Sequence, residues 1–505
     1  MSVDFCLFAS AFQVDYKLRL VTLVTRARPC MPVGDDMATI NEAAAPAPSK
    51  LSWMHFSPDD YDALLAAKVE KIKHEFATHI SDGTRLEVNA SAPRHFRERA
   101  RFAIARFPPD DKLRYALFEG GAPSVAVDDF PIASLQINRL MPPLLAAVNG
   151  SAAFGGTQLA AVHFLGTSTG DMLISLIYEG APMPSGWHEA ATQLHAKLNT
   201  EWCVPSDGAD TSTAASIAGT MHEISLMGRC KGACTCIGRN FVDEAIPLAD
   251  GRRLTYRQVE GSFSNPSATM CAATLNFLCA CAKAAAADVA TRDAASGRGA
   301  PSLPNLLELY CGNGNHTVAL GQHFRLLLAV EIDKKLCDAA DFNLSANGVG
   351  NASVLCASSG KFCQRLLRKI RRARSAAAEA LTDAQPAADA QPAADAQPAA
   401  DAPAGAQKES AETKWMREAV SRQDIILVDP PRCGLDADTR ALVALYDHIF
   451  YVSCNPTALL SDLQSLGGGY SLERLAVFDH FAYSHHLEVG VHLRRRREAS
   501  CEPVT

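Results

Sequence analysis

Four short apolar runs in the second half of the chain, separated by longer helix-forming segments, restrict its fold more than any other feature. The runs cover residues 306–309, 326–330, 425–428 and 449–452. A strand that is apolar along its whole length is buried on both faces, and strands that alternate with helices pair in parallel through crossover connections. The pattern therefore predicts a doubly wound α/β domain with a mostly parallel sheet.

The first half of the chain has a different pattern. Short strand-like runs such as 101–104 and 172–178 follow a segment, 61–76, whose apolar residues recur at helical spacing. This mixture predicts a sheet-rich α+β domain, and 505 residues are enough for two separate cores. The predicted division is an extension at 1–52, the mixed domain at 53–260, the α/β domain at 261–498 and a tail at 499–505.

A low-complexity insert, 375–414, interrupts the α/β domain before the run at 425–428. Asp383-Ala-Gln-Pro-Ala-Ala is repeated from Asp389 and again from Asp395. Such a segment has almost nothing to bury, and we predict that it is disordered. It also holds seven acidic residues and two lysines, which account for five of the seven net negative charges of the chain. The rest of the chain is therefore close to neutral, and local basic clusters decide whether it binds nucleic acid.

The sequence gives no sign of a membrane or secreted protein. No window approaches the roughly 18 uninterrupted apolar residues of a membrane span, and Asp4 interrupts the basic leader that a signal peptide needs. We expect a cytoplasmic protein. A mitochondrial presequence within residues 1–50 is the alternative to a disordered extension, because this segment contains Arg19, Arg26 and Arg28.

The 16 cysteines are expected to be free thiols, because they are scattered through a large chain without a secretory signal. The tightest group is Cys230, Cys234 and Cys236, and the next cysteine, Cys271, lies far along the chain. A zinc or iron–sulfur site needs a fourth ligand and usually a C-x2-C pair. We therefore expect neither a metal ion nor an iron–sulfur cluster.

A glycine-rich turn follows the first run of the α/β domain. Gly312 and Gly314, within Glu308-Leu-Tyr-Cys-Gly-Asn-Gly-Asn, allow the backbone to turn tightly and to approach a ligand. The second run ends in Glu331-Ile-Asp, which is placed to accept hydrogen bonds from a ribose. These features predict an adenosine-cofactor site, although dinucleotide sites have similar signals. The missing third glycine favours S-adenosylmethionine over a pyrophosphate.

Two further motifs follow the third and fourth runs. Asp429-Pro-Pro-Arg lies where a parallel strand ends, and such D-P-P sequences are common in methyltransferases that act on nucleobases, at either an exocyclic amine or a carbon. Cys454 favours carbon, because C5 of uracil becomes nucleophilic after a thiolate adds to C6. Glu488 is a candidate base for the C5 proton. Taken singly, Cys454 is more often a buried small hydrophobe and Glu488 a surface carboxylate.

These motifs, in this order, carry a family resemblance. The shared stretches are SFSNPSA, LLELYCGNGN, VEID, ILVDPPRCGLD, YVSCNPTAL and FAYSHHLEVGVHL, with weaker agreement in HFRERARF, VDDFPIASLQINRLM, LISLIY and YRQVEGSF. From about residue 57 to residue 494 the chain resembles the tRNA (uracil-5-)-methyltransferases of the bacterial TrmA type. The resemblance implies a Rossmann-like, S-adenosylmethionine-dependent methyltransferase domain preceded by a mixed α+β RNA-binding domain.

The resemblance also implies roles for single residues. Cys454 corresponds to the family's nucleophile and Glu488 to its proton acceptor. The positions that correspond to contacts with S-adenosylmethionine are Asn265, Tyr310, Asn315, Glu331 and Asp429. Asn265 stands where the family usually has the longer amide glutamine. The other departures are His316 for an aromatic residue, Cys433 for serine and Val489 for cysteine.

Four arginines are the predicted RNA contacts. Arg97, Arg99 and Arg101 alternate onto one strand face, where they would clamp the phosphate backbone, and Arg432 follows the D-P-P motif. The expected partner is tRNA, and we expect a monomer without a protein partner or a membrane.

The leading functional hypothesis is C5 methylation of the T-loop uridine, position 54, of tRNA. The second is the same chemistry on ribosomal RNA, although relatives of that kind typically carry a four-cysteine iron–sulfur site that the sequence does not show. The third is an amino methyltransferase, which has no use for Cys454 paired with Glu488. The fourth, of another class, is a non-catalytic tRNA-binding or tRNA-folding protein.

Overall fold

Two large β-sheets packed against helices, and a two-stranded sheet, form the part of the chain that the structure describes. This computed structural model covers residues 56–109, 111–119, 122–154, 158–180, 182–203, 221–297, 303–383 and 411–496. The helices are α1 (Tyr61–Glu75), α2 (Leu135–Gly150), α3 (Trp187–Trp202), α4 (Ala268–Ala295), α5 (Asn315–Leu320), α6 (Lys334–Ala346), α7 (Ser359–Asp383), α8 (Ala411–Ser421), α9 (Ala437–Val443) and α10 (Pro456–Leu466). The strands are β1 (Arg85–Asn89), β2 (Arg99–Phe107), β3 (Lys112–Glu119), β4 (Ala122–Val127), β5 (Leu159–Gly166), β6 (Asp171–Tyr178), β7 (Glu223–Cys230), β8 (Ala233–Ile237), β9 (Phe241–Pro247), β10 (Arg253–Val259), β11 (Asn305–Leu309), β12 (Leu326–Glu331), β13 (Ala352–Cys356), β14 (Ile425–Val428), β15 (His448–Ser453), β16 (Tyr470–Phe478) and β17 (Glu488–Arg495).

The first sheet has seven strands in the order β4-β3-β2-β5-β6-β7-β8. Neighbouring strands pair antiparallel except β6 and β7, which are parallel and have the helix α3 between them in the chain. Helices α2 and α3 pack against the sheet through buried residues such as Leu140 and Trp187, around the rings of Phe102 and Phe164. This is the mixed α+β arrangement that the sequence predicts.

The second sheet has eight strands in the order β1-β16-β17-β15-β14-β11-β12-β13. Strand β17 runs antiparallel to both of its neighbours, and the other pairs are parallel. Alternate residues of each central strand face different cores: Leu306 and Leu427 pack with α4, whereas Leu307 and Val428 pack with α7 and α8. Both faces are therefore covered, which explains the uninterrupted apolar runs and confirms the predicted doubly wound α/β fold.

The N-terminal segment 61–89, predicted as part of the first domain, belongs to the second sheet. Strand β1 pairs in parallel with β16, with Leu86 opposite Leu475. The hairpin of β9 and β10 likewise buries Leu254 and Tyr256 in the core under α4. The predicted boundary at residue 260 therefore does not coincide with the division between the sheets, because alternation shows that a strand has a buried face but not which body covers it.

The predicted disordered insert is helical at both of its ends. Helix α7 continues through Ser375 to Asp383, and α8 begins at Ala411. Alanine is the best helix former, so the alanine-rich stretch after Ser375 prolongs the helix until the first proline of the repeat, Pro386, is near. Residues 384–410 lie outside the described residues, as do the predicted extension 1–52 and the tail 499–505.

Helix α4 is long and apolar enough, on length and composition alone, to cross a membrane. Its buried residues, which include Met270, Leu275 and Phe277, instead pack against the second sheet. A helix that is apolar on most of its surface is also what the centre of a large α/β core requires.

Candidate active site

The carboxyl edge of the second sheet collects the predicted site residues. The chain leaves the central strand β11 toward β12 and β13, then returns to β14 and β15 on the other side. Ligands of open α/β sheets bind at the carboxyl edge beside such a switch point. Tyr310, Glu331, Asp429 and Cys454 stand at the carboxyl ends of β11, β12, β14 and β15.

The turn after β11 depends on unusual backbone angles. Tyr310 has φ 64°, a left-handed conformation that is costly for a side chain, and Gly312 and Gly314 have φ 57° and 77°. A Cβ atom on Gly314 would lie 3.1 Å from Cβ of Ala340 in α6, whereas a Cβ atom on Gly312 would meet nothing within 4 Å. Gly314 thus permits close packing, and the backbone at Gly312 stays open toward the site.

The carboxylate of Glu331 holds this turn against the end of β12. Its Oε2 accepts from the backbone N–H of Gly312 at 3.1 Å, and its Oε1 accepts from those of Ile332 and Asp333 at 2.8 Å each. Glu331 is buried. Because an ionised carboxylate offers about four lone pairs, Glu331 retains acceptor capacity for a ligand.

A pocket of about 450 Å³ opens at this edge, within the size range of small-molecule sites. Its lining residues are Tyr310, Glu331, Ile332, Ser358, Ser359, Gly360, Pro431, Cys433, Gly434, Leu435 and Asp436. Ile332 is 58% exposed, so an apolar surface lies next to the acceptor oxygens of Glu331. An apolar surface beside a carboxylate suits a purine ring carrying a ribose, and the residues therefore fit the adenosine part of S-adenosylmethionine.

Three of the five predicted cofactor contacts do not line this pocket: Asp429, Asn315 and Asn265. The amide of Asn315, the first residue of α5, contacts Sγ of Cys271 in α4, with Nδ2 at 3.2 Å and Oδ1 at 3.4 Å. The side chain of Asn265 accepts from the N–H of Ser267 at 3.2 Å, at the start of α4. Tyr310 and Glu331 thus line the pocket, while Asn265 and Asn315 lie near the start of α4, and their contact with a cofactor stays a prediction.

The pairing of β15 with β17 brings Cys454 and Glu488 together. The last antiparallel pair of this ladder is Ser453 opposite Val489. Cys454 and Glu488 are the next residues beyond this pair on each side. The charge of Glu488 acts on the Cys454 thiol and raises its pKa. Two residues that are far apart in the sequence therefore lie close together at the carboxyl edge of the sheet.

The Cys454 thiol is held in its protonated form. Its pKa is raised to about 11, mainly by burial and also by the charges of Glu488 and Asp429, against the opposing effect of Arg432. The thiolate is the nucleophilic form of cysteine. At neutral pH the site must therefore remove the thiol proton before, or as, the sulfur attacks.

Glu488 has a partner that the sequence analysis missed. Nε2 of His480 lies 3.3 Å from Oε1 of Glu488, close enough for an ion pair but without the alignment of a directed hydrogen bond. Burial alone would raise the pKa of Glu488, but His480, and more weakly His316, hold it below the ordinary value. His480 is 2% exposed. No local sequence signal marks it, because the contact arises from the fold of the loop before β17.

The pKa of Asp429 is shifted in the opposite direction, above its ordinary value. Burial raises its pKa to about 7; His316 opposes this shift, and the charges of Glu488 and Glu308 add to it. His316 lies with Nδ1 3.6 Å from Oε1 of Glu308. Two neighbouring carboxylates whose pKa values are pushed apart are typical of sites that move protons. His316, which stands where the family has an aromatic residue, therefore acts on both carboxylates of the site.

The structure separates the predicted RNA-binding arginines. Arg97 is 7% exposed, and its Nε donates to the carbonyl oxygen of Arg99 at 2.8 Å. Arg99 itself donates to the carbonyl oxygen of Ser262 and to Oγ of Ser264, each at 3.1 Å. Arg97 is thus buried and is not placed to contact a phosphate. Arg99 connects the first sheet to the segment before Asn265 by hydrogen bonds. A strand pattern cannot distinguish a solvent face from a face covered by another part of the chain.

Arg432 stands beside the nucleophile. Its carbonyl oxygen accepts from Nδ2 of Asn455 at 2.8 Å, next to Cys454 in the chain. Its Nε and Nη2 atoms are buried and have no hydrogen-bond partner in the described part of the chain. Buried donors without a partner are costly, so Arg432 is placed to meet an acceptor on a ligand.

Free thiols are found throughout the described ranges, as the sequence predicts. Cys230, Cys234 and Cys236 lie on the hairpin of β7 and β8. Over the same ranges no group of three or more His, Cys, Asp and Glu side chains is arranged to hold a metal ion. The expectation that the protein needs no metal or iron–sulfur cluster stays a prediction.

Comparison with known proteins follows the same motifs. The family model described as tRNA (Uracil-5-)-methyltransferase matches residues 60–382 and 417–496. The chain belongs to the tRNA (uracil-5-)-methyltransferase family. It is 33% identical over 440 residues to the tRNA/tmRNA (uracil-C(5))-methyltransferase of Aeromonas salmonicida, covering 87% of this chain and 96% of that one. The corresponding enzyme of Ectopseudomonas mendocina is 34% identical over 443 residues, covering 87% and 99%.

A solved structure supports the fold of this tRNA (uracil-5-)-methyltransferase family member. The Pyrococcus abyssi tRNA (uracil-54, C5)-methyltransferase in complex with S-adenosyl-L-homocysteine superposes with a TM-score of 0.55. The match covers 86% of this chain and 83% of that one at 14% identity. At this identity the likeness shows the fold alone, and the family model carries the assignment to methyltransferases.

Proposed function

We propose that this protein transfers the methyl group of S-adenosylmethionine to C5 of the uridine at position 54 in the T-loop of tRNA. The observation that supports the proposal is the proximity of Cys454 and Glu488: they follow the last pair of β15 and β17, Ser453 opposite Val489, and the charge of Glu488 raises the pKa of the Cys454 thiol. Methylation at C5 requires a thiol and a base facing the same ring, whereas methylation of an amine does not. The names of the relatives support tRNA as the substrate.

The chemistry begins at Cys454. The thiol first gives up its proton to solvent. Its Sγ then forms a bond to C6 of the uracil, and the electrons of the C5–C6 double bond move toward the C4 carbonyl, which makes C5 nucleophilic. S-adenosylmethionine, when bound, supplies an electrophilic methyl group to C5. Glu488 then takes the C5 proton, the C5–C6 double bond forms again, and the bond between C6 and Sγ breaks. The sulfur leaves as the thiolate.

The target base must leave its stack to reach these groups. Enzymes that act on a base ring extrude it into a pocket, at a cost of a few kcal/mol that is lowest for unpaired bases. A loop nucleotide meets that condition better than a paired one. Arg101, on the first sheet, stays the predicted contact to the RNA backbone.

Nucleoside mass analysis of an unmodified tRNA transcript, incubated with the protein and S-adenosylmethionine, tests the proposal. We expect one 5-methyluridine, mapping to position 54, and none in a transcript whose position 54 is cytidine. If 5-methyluridine formed on ribosomal RNA fragments but not on tRNA, ribosomal RNA would replace tRNA as the proposed substrate. No product on either RNA would overturn the proposed function.

We predict that Arg432→Met slows alkylation of Cys454 by iodoacetamide at pH 8 by roughly tenfold, the effect of one pKa unit. The guanidinium of Arg432 favours the thiolate, so its removal raises the pKa of Cys454 further. Mass spectrometry of the peptide containing Cys454 measures the rate separately from the other thiols. Arg417→Met on α8 serves as the control, and equal rates in the two variants would exclude thiolate stabilisation by Arg432.

We predict that Glu331→Gln weakens binding of S-adenosylhomocysteine by about 10- to 100-fold, because a hydrogen bond to a charged group contributes roughly 1.5–3 kcal/mol. The amide nitrogen of glutamine would also face N–H donors that the carboxylate now satisfies. Isothermal titration calorimetry measures the change. Asp338→Asn, on the exposed face of α6, is the matched control and should bind as the wild type does. Unchanged affinity in Glu331→Gln would place the ribose elsewhere.

A further inference from the structure

The loop between β16 and β17 positions the proposed base. It covers residues 479–487 and ends directly before Glu488. His480, the contact of Glu488, is its second residue. Asp479 and His480 are 0% and 2% exposed, so the start of the loop is buried. The orientation of Glu488 and His480 therefore depends on whatever fixes this loop.

Lys68, in the N-terminal part of the chain, donates hydrogen bonds to several residues of this loop. Lys68 lies on α1, and its Nζ donates to Oδ1 of Asp479 at 2.8 Å, to the carbonyl oxygen of Phe481 at 2.8 Å and to that of Ala482 at 3.2 Å. The carbonyl oxygen of His486 lies 3.5 Å away. An ammonium has three donors. Here they are directed at the first half of the loop, residues 479–482, and the ammonium also lies near His486 in its second half.

Neighbouring contacts fix Asp479 for this role. The hydroxyl of Tyr61 donates to Oδ2 of Asp479 at 3.0 Å and accepts from the N–H of Ser91 at 2.8 Å. Oγ of Ser91 donates to the carbonyl oxygen of Asp479 at 2.7 Å. The hydroxyl of Tyr483 donates to the carbonyl oxygen of Pro93 at 2.6 Å. The segment 61–93 therefore holds the loop by hydrogen bonds at Asp479 and at Tyr483.

The ion pair of Lys68 and Asp479 is removed from solvent. Their side chains are 13% and 0% exposed. Burial lowers the pKa of Lys68, and the charge of Asp479 opposes that shift. Breaking such a pair from one side leaves a buried charge and several carbonyl oxygens without donors. Loss of the ammonium should therefore shift the loop near Asp479, although the contacts of Tyr61, Ser91 and Tyr483 remain.

We propose that Lys68 is a positioning residue for proton removal, acting on Glu488 through the loop and His480. The inference rests on the proposed function. In the last step Glu488 must reach the proton on C5 while the bond between C6 and Sγ breaks, so its placement matters after methyl transfer. A misplacement of about 1 Å can cost on the order of 100-fold in rate. Loss of Lys68 should therefore stall the enzyme at the methylated covalent adduct.

The test compares Lys68→Met with Lys71→Met in the full-length protein. Lys71 lies on the same helix, its side chain is 67% exposed, and its nearest carboxylate partner is Glu75 at 3.8 Å. With labelled tRNA transcript and S-adenosylmethionine, Lys68→Met should turn over about 10- to 100-fold more slowly. The fraction of enzyme in a denaturation-resistant complex with RNA should rise at least about fivefold, with KM for tRNA nearly unchanged. Lys71→Met should behave as the wild type does.

Lys68→Arg covers the case in which Lys68→Met does not fold. Arginine keeps the charge beside Asp479 but cannot converge three donors on the same points, so Lys68→Arg should turn over more slowly than the wild type and hold a larger adduct fraction than the wild type. If the Lys68 variants turned over slowly without extra adduct, or showed the same turnover and adduct fraction as the wild type, the proposed role of Lys68 would be wrong. A wild-type chain that forms neither product nor adduct would instead overturn the proposed function.

Discussion

Replacing Cys454 with alanine should abolish formation of 5-methyluridine, with a loss on the order of 10⁴-fold or more, as is usual when a covalent nucleophile is removed. Alanine cannot add to C6, so C5 stays too weak a nucleophile to accept a methyl group from a sulfonium. Product formation on a tRNA transcript, measured by nucleoside mass analysis, and trapping of the enzyme–RNA complex on a denaturing gel should both fall to background.

Two measurements separate this effect from damage to the fold. Cys454 is partly buried and its only change is the loss of one sulfur, so the variant should bind S-adenosylhomocysteine as the wild type does. Cys356→Ala, which removes an exposed thiol at the end of β13, should keep full activity. Substantial methylation by Cys454→Ala would mean that the base is activated without a covalent bond, and the proposed mechanism would be wrong.

The sequence predicts the second sheet well, because its physical signals are local. The run at 425–428 is apolar throughout since both faces of β14 are buried, and the alternation of such runs with helical segments predicts it. The turn with Gly312 and Gly314 likewise carries its geometry in its residue types. Motifs in a fixed order, from LLELYCGNGN to FAYSHHLEVGVHL, added the chemistry of Cys454 and Glu488.

The features that the sequence did not reveal depend on distant contacts. Strand β1 joins β16 across most of the chain, so nothing near Leu86 indicates its partner. Arg97 alternates with Arg99 as a solvent-facing pair would, yet the packing of the two halves buries it. His480 contacts Glu488 because the folded loop between β16 and β17 brings the two side chains together. Lys68 contacts the same loop from α1, a helix that the sequence pattern assigns to the other domain. Such contacts become visible only in three dimensions.

Replacing Glu488 with glutamine should trap the enzyme on its RNA. Glutamine keeps the shape of the side chain but cannot take the C5 proton, so the reaction should run through the thiol addition and methyl transfer and then stop. We expect product formation to fall by about 10²- to 10⁴-fold, the usual contribution of a general base. A covalent complex of enzyme and methylated RNA should accumulate toward one per enzyme, detectable by denaturing electrophoresis and by intact mass.

The adduct distinguishes Glu488 from the other carboxylate in the site. Asp429, whose pKa burial raises to about 7, is the alternative proton acceptor. If Glu488→Gln lost activity without an adduct while Asp429→Asn accumulated one, the role of base would pass to Asp429. Glu473→Gln, a partly exposed carboxylate of β16 paired with Arg494, should change neither rate nor adduct. Because Glu488 keeps a lowered pKa beside His480, it stays ionised at neutral pH and ready to accept a proton, and the trapped complex should therefore form with Glu488→Gln.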